Sequence, residues 1–287
     1  MTNLNLLPLL KKFKIHPLFY FVLGIGVVTG YFQEVIMLFL IVFIHEMGHA
    51  IAAHFFKWKI NKIELLPFGG VAEMNEAGNR PLREELIVVL AGPIQHLWLM
   101  ALSFVLLPFD FWTVADHQLF LWHNLIILSF NLLPVWPLDG GRLVQLWFSY
   151  RLPYKKAQKL SLVSTTVILL VLSIISLYLF PFHLNLWIVL TFLFVSNYLE
   201  WKQRHFSYMR FLMERLHGKN SRKKRMITVN DTMKVQDVVN LFQRGYQHKL
   251  VIKNNDKNTR KVINEQELLK AFFYEKKLNH SLKELFF

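Results

Sequence analysis

The sequence has no cysteine. Disulfides are therefore excluded, and any metal site must be built from histidine and carboxylate ligands. Internal repeats and low-complexity tracts are also lacking. Charged residues are sparse, 18% against 54% hydrophobic, and the mean hydropathy is +0.32. That composition argues against an ordinary soluble globular chain and for a membrane protein. Acidic residues are the scarcer sign, 19 against 33 Lys and Arg, for a formal net charge of +14. Such a balance fits either a nucleic-acid binder or a polytopic membrane protein with basic loops, and the placement of the charges decides.

Apolar segments at 17–32, 34–56, 86–108, 118–149, 159–180 and 184–201 read as six membrane spans, several of them long enough for the roughly 20-residue crossing of a bilayer. Three connections, TGYFQE, LPFDFWTVADHQ and FPFHLN, contain no lysine or arginine. The others are basic: LKKFK before the first span, Lys57, Lys59, Lys62, Arg80 and Arg83 after the second, and Arg151, Lys155, Lys156 and Lys159 after the fourth. By the positive-inside rule both termini face the cytoplasm, which an even number of crossings also requires. No small-residue processing site follows the first segment, so the first two are expected to form a helical hairpin and not a cleaved signal. The expected fold class is a polytopic α-helical membrane protein carrying a C-terminal α+β domain.

That domain is read at 226–287, where the pattern runs strand, helix, strand, turn, strand, helix. Residues 1–200 are assigned to the transmembrane domain, and 201–225 to a basic amphipathic linker, read either as a helix lying on the membrane surface and ending at Gly218 or as a solvated connector. RKKR (222–225), beside a membrane exit, reads as linker or as a contact for anionic lipid and not as a nucleic-acid site. The tryptophans and the tyrosines near span ends read as interface anchors.

Inside the second span stands IHEMGHA (44–50). His45 and His49 are one helical turn apart, so both imidazoles can reach one Zn²⁺. Glu46 falls beside the metal. There it can take a proton from zinc-bound water, whose pKa zinc lowers toward about 7, and later pass it to the leaving amine. Ionisable groups at this depth cost roughly 2.5–3.5 kcal/mol each, a cost that a bound metal largely offsets. A catalytic zinc takes three protein ligands. The third candidate is Asp139 in NLLPVWPLDGGR, where Pro134, Pro137, Gly140 and Gly141 predict a broken helix lining a cavity. His49 is eight residues before Lys57 and Asp139 twelve before Arg151, so at a rise of about 1.5 Å per residue both lie roughly 10–18 Å below the cytoplasmic boundary. A helix-end cap is the plainer reading of Asp139, and both stay open at this point. His96 and His123 also fall in spans and are read as packed, hydrogen-bonded interior residues in preference to a fourth ligand or a partner behind one. LLPFGGVAEM, too short for a span, reads as a short strand or re-entrant loop on the cytoplasmic side, able to hold an extended substrate by strand addition.

HEMGH in one span with NLLPVWPLDGG in a later one resembles the paired signatures of the site-2 protease family, zinc metalloproteases that cut within or close to the membrane. LLPFGG (65–70), GNRP (78–81) and AGPIQH (91–96) extend the likeness. The pattern departs at Gln95 and His96, where many members carry asparagine. Residues His248 to Ile252 and Val262 to Leu269 make the C-terminal segment similar to a single CBS domain. The resemblance implies one Zn²⁺ per chain held by His45, His49 and Asp139, Glu46 as catalyst, and substrate contacts from Phe68, Gly69, Gly70, Asn131 and Pro137. It raises ATP as a ligand of the CBS-like domain, with Asn264 and Glu267 where such domains often carry Ser/Thr and Asp. It further implies a membrane-associated proprotein substrate, a sigma-factor precursor of the pro-sigma-K kind cut during sporulation, in the outer forespore membrane facing the mother cell. Implied partners are membrane lipids, inhibitory or regulatory membrane proteins and a second copy of the chain through the CBS-like domain, with no direct nucleic acid. Two rivals of other classes are a metal-ion transporter and a catalytically inactive scaffold with a ligand-sensing CBS domain. A transporter has no need of a non-ligand carboxylate next to the first histidine.

Overall fold

The structure is a computed structural model that describes residues 13–15, 17–58, 60–66, 69–74, 79–217, 223–253 and 260–287. The chain divides into two compact units, one made of the stretch up to Glu76 with Arg83–Leu143, the other of Ala77–Leu82 with Val144–Phe287.

The first unit contains β1 (Phe13–Ile15), α1 (Pro17–Thr29), α2 (Phe32–Phe55), β2 (Ile60–Leu66), β3 (Gly69–Met74), α3 (Leu82–Leu106), α4 (Val114–Asn131) and the start of α5 (Asp139–Arg151). β1 runs parallel to β2, and β2 pairs antiparallel with β3, so β3 is an edge of this sheet. α2 stops in a Schellman turn: Lys57 adopts φ 56°, its N–H donates to the His54 carbonyl at 2.9 Å, and the Trp58 N–H donates to Ala53 at 2.9 Å. Trp58 then donates its indole N–H to Glu84 on α3 at 3.1 Å, which ties the end of one apolar helix to the start of the next. α4 opens with a capping box in which Thr113 and Asp116 exchange side-chain-to-backbone hydrogen bonds at 3.1 Å. Gln33 at the start of α2 donates to the same Asp116 at 2.6 Å.

The segment read as a fourth span is two helices, α4 and α5, separated by 132–138. Pro134 and Pro137 fall within that break, Pro137 after a cis peptide bond, whereas Gly140 and Gly141 lie in the first turn of α5. Among the described residues, α2, α3, α6 (Tyr154–Leu179) and α7 (Leu184–His217) are long and apolar enough to cross a bilayer, and α1 offers a shorter apolar stretch, Tyr20–Thr29.

The second unit holds the rest of α5, then α6, α7, β4 (Lys223–Asn230), α8 (Val235–Val239), β5 (Tyr246–Lys253), β6 (Arg260–Asn264), α9 (Glu265–Phe273) and α10 (Leu282–Phe286). Its sheet order is β4-β5-β6, with β4 and β5 parallel and β5 and β6 antiparallel. α7 runs for 34 residues, past Trp201, because no glycine or proline interrupts 201–217 and its Lys, Arg, Met and Glu are good helix formers. Its last turns are core and not connector: Tyr208, Phe211 and Leu212 are buried with Val229, Phe242 and Leu250. Arg215 is buried there too, donating to Glu265 at 2.8 Å and to the carbonyls of Gln243 and Tyr246. Burial opposes the Glu265 charge, but hydrogen bonds from His248 and the Arg215 guanidinium outweigh it and hold the carboxyl below its ordinary range. Lys223, Lys224 and Arg225 of the RKKR run belong to β4, paired along Tyr246, Gln247 and His248.

Candidate metal centre

His45 and His49 sit on the buried face of α2, as their spacing predicts. They can be buried because α2 and α3 approach unusually closely at two glycines. A Cβ on Gly48 would meet the Ala91 carbonyl and the Gln95 side chain, and a Cβ on Gly92 would fall on the His49 ring. α3 therefore presents backbone, not side chain, to the imidazole, and the Val88 carbonyl accepts a hydrogen bond from His49 Nδ1 at 2.7 Å.

Asp139 is the first residue of α5, where the positive end of the helix dipole favours a carboxylate. It is a helix-end residue, and its side chain is also aimed at the histidines. Oδ2 lies 3.2 Å from Nε2 of His45 and 3.2 Å from Nε2 of His49, while the two Nε2 atoms are 3.0 Å apart. All three residues are buried, and the three ligand atoms lie within 4.8 Å of one another.

The protonation pattern decides what such a cluster is for. A carbonyl can only accept, so His49 carries its proton on Nδ1 and, as a neutral imidazole, a lone pair on Nε2. Asp139 Oδ2 is buried without a hydrogen-bond partner, though two nitrogens stand beside it. Lone pairs pointing at one another repel unless a cation sits among them. The separations of 3.0–3.2 Å approach the edges of about 3.3 Å expected for a tetrahedron with metal–ligand bonds of about 2.0–2.1 Å. With no sulfur and two imidazoles, the donor set suits zinc.

Glu46 is buried on α2 beside the cluster and is not one of the three converging groups. Of the residues expected to contact substrate, Asn131 closes α4, Pro137 lies in the break just before Asp139, and Gly69 and Gly70 open β3. Phe68 falls outside the described residues. His123 bonds its own helix, Nδ1 donating to the Leu119 carbonyl at 2.8 Å. His96 does not behave that way: it meets His45 and Asn124. Gly48, Gly92, the Val88 carbonyl and Asn124 are the parts that pattern reading missed. Asn124 carried a signal, being an amide inside the apolar run FLWHNLII.

A model described as peptidase family M50 matches residues 33–116 and 111–172. The chain is 41% identical over 281 residues to stage IV sporulation protein FB of Bacillus subtilis (strain 168), covering 97% of each chain. It is 34% identical over 129 residues to a zinc metalloprotease of Methanocaldococcus jannaschii, covering 44% of this chain and 37% of that one. Among solved structures, the site-2 protease from Methanocaldococcus jannaschii matches with a TM-score of 0.52 at 28% identity, covering 66% of this chain and 89% of that one.

Proposed function

Since the chain belongs to peptidase family M50 and is an integral-membrane metalloprotease of the site-2 type, we propose that it hydrolyses one peptide bond of a membrane-associated proprotein on the cytoplasmic side. The substrate we propose is a sigma-factor precursor of the pro-sigma-K kind, cut during sporulation. Its support is the likeness along nearly the whole chain to a protein named for stage IV of sporulation. The proposal carries six spans with both termini cytoplasmic and the outer forespore membrane as location. Of the expected division 1–200, 201–225 and 226–287, the linker does not stand apart, because the end of α7 and Lys223–Arg225 pack or pair within the C-terminal unit. Inhibitory membrane proteins and a second copy of the chain are its proposed partners.

The observation that carries the reading is the convergence of three buried acceptors from α2 and α5. We assign His45, His49 and Asp139 as zinc ligands. When bound, zinc polarises the scissile carbonyl and lowers the pKa of water. Glu46 accepts the proton of the water that attacks the carbonyl carbon. As the C–N bond breaks, it returns that proton to the leaving nitrogen. Asn131 and Pro137 flank the ligand-bearing break and are assigned to substrate contact, together with Phe68, Gly69 and Gly70. The C-terminal unit is assigned a regulatory or substrate-engaging role. Asn264 and Glu267 lie 3.5 Å apart there, an arrangement that lends no support to ATP.

Stripping metal from the purified full chain with a chelator is expected to end cleavage of a co-reconstituted membrane-tethered sigma-factor proprotein, and added zinc to restore it. Undiminished cleavage by a metal-free sample would overturn the reading. A transmembrane substrate hides its carbonyls in helical hydrogen bonds, and the β3 edge can hold such a segment once it is extended. Gly69→Pro removes a strand N–H and is expected to slow cleavage several-fold without changing zinc content. Turnover equal to the parent would count against strand addition.

A further inference from the structure

His49 is oriented by a backbone carbonyl, but His45 faces a side chain. Its Nδ1 lies 3.0 Å from Nε2 of His96, with ring centroids 5.1 Å apart. On the other side of the His96 ring, Nδ1 lies 3.1 Å from Oδ1 of Asn124. Asn124 in turn donates from Nδ2 to the Phe120 carbonyl at 2.8 Å. His96 and Asn124 are both fully buried, out of reach of bulk solvent.

This chain has one consistent direction. The Phe120 carbonyl can only accept, which points the Asn124 amide group at it and leaves Oδ1 for His96. Oδ1 can only accept, so His96 holds its proton on Nδ1 and offers the Nε2 lone pair to His45. His45 therefore carries its proton on Nδ1 and directs its own Nε2 lone pair at Asp139 and His49. A carbonyl on α4 thus sets the tautomer of a group on α2, through α3.

We propose that His96, braced by Asn124, is a positioning residue that fixes His45 as an Nε2 zinc ligand. The inference rests on the reading of His45 as a ligand. Neither residue touches the site where substrate reacts; both act through His45. Partners that orient metal-bound histidines typically change affinity by about 10–100-fold when removed.

The test compares His96→Met with His96→Gln in the purified full chain, measuring zinc affinity by competition with a chelator of known strength. The two side chains have similar length and bulk, but only glutamine brings an oxygen that accepts from His45 Nδ1. His96→Met is expected to bind zinc about 10–100-fold more weakly, and His96→Gln to recover most of that loss. Asn124→Leu is expected to weaken zinc by itself and to add little to His96→Met, because it acts through the same ring. In the cobalt-substituted chain, the visible absorption bands of His96→Met should differ from those of the parent and of His96→Gln. Equal affinity in the parent, the methionine and the glutamine forms would overturn the inference, as would fully additive losses. If His96→Met does not fold, Asn124→Leu against Asn124→Asp repeats the comparison, since the aspartate still accepts from His96. A parent that binds no zinc would instead sink the reading of the metal centre itself.

Discussion

Replacing Glu46 with glutamine is expected to lower cleavage by about 10²–10⁴-fold, the usual contribution of a positioned proton-transfer group, with zinc content unchanged. Glutamine keeps the shape and hydrogen-bonding reach of the buried side chain but cannot take up a proton at neutral pH. His45, His49 and Asp139 supply the converging atoms without it, so under the proposed assignment metal binding and proton transfer separate at this residue. The measurement pairs kcat/KM on a membrane-tethered proprotein with metal analysis of the same sample. Zinc lost together with activity would make Glu46 a ligand, and activity within a few-fold of the parent would remove it from the mechanism. The experiment also separates a protease from a transporter, because a metal pathway through His45 and Asp139 has no step that needs this carboxylate to change protonation.

The histidine pair and the break that carries Asp139 were legible in the sequence because each of those signals is local, whereas their meeting across 90 residues or more was expected only from the matching depth and the family resemblance. A four-residue spacing puts two imidazoles on one helical face, and the prolines before Asp139 announce a break whatever surrounds them. What stayed hidden depends on partners distant in sequence. His96 meets His45 across 51 residues and Asn124 across 28, and a buried histidine with a functional partner has the same local pattern as one satisfied by its own helix, as His123 is. β1 has three residues, too few for an alternation to register. The stretch after Trp201 shows a third kind of failure. Its amphipathic pattern predicts a covered face, and that face, at Tyr208, Phe211 and Leu212, packs with Val229, Phe242 and Leu250 of the C-terminal core and not against a membrane surface. Periodicity reports that a face is buried. It carries no information on what buries it.

The same reasoning gives Gly92→Ala a larger effect than a single methyl would suggest. Alanine is the better helix former by roughly 1 kcal/mol, so on propensity alone the change within α3 should stabilise. The new Cβ, however, would lie 2.5 Å from Cε1 and 2.8 Å from Cδ2 of His49 and closer still to Nε2. Carbon atoms pack at about 3.5–4.0 Å, so the ring or α3 must move by about an ångström. The ring is proposed as a zinc ligand, and a misplacement of about 1 Å at a reacting centre can cost about 10²-fold in rate. Gly92→Ala is therefore expected to lose most of its zinc and at least about 10²-fold of its cleavage while remaining folded in detergent. Gly24→Ala, whose Cβ meets nothing within 4 Å, serves as the control and is expected to match the parent in both. Full zinc occupancy and parent-like cleavage in Gly92→Ala would mean that α3 yields instead of His49, and that the close approach of the two helices is not what places the ligand.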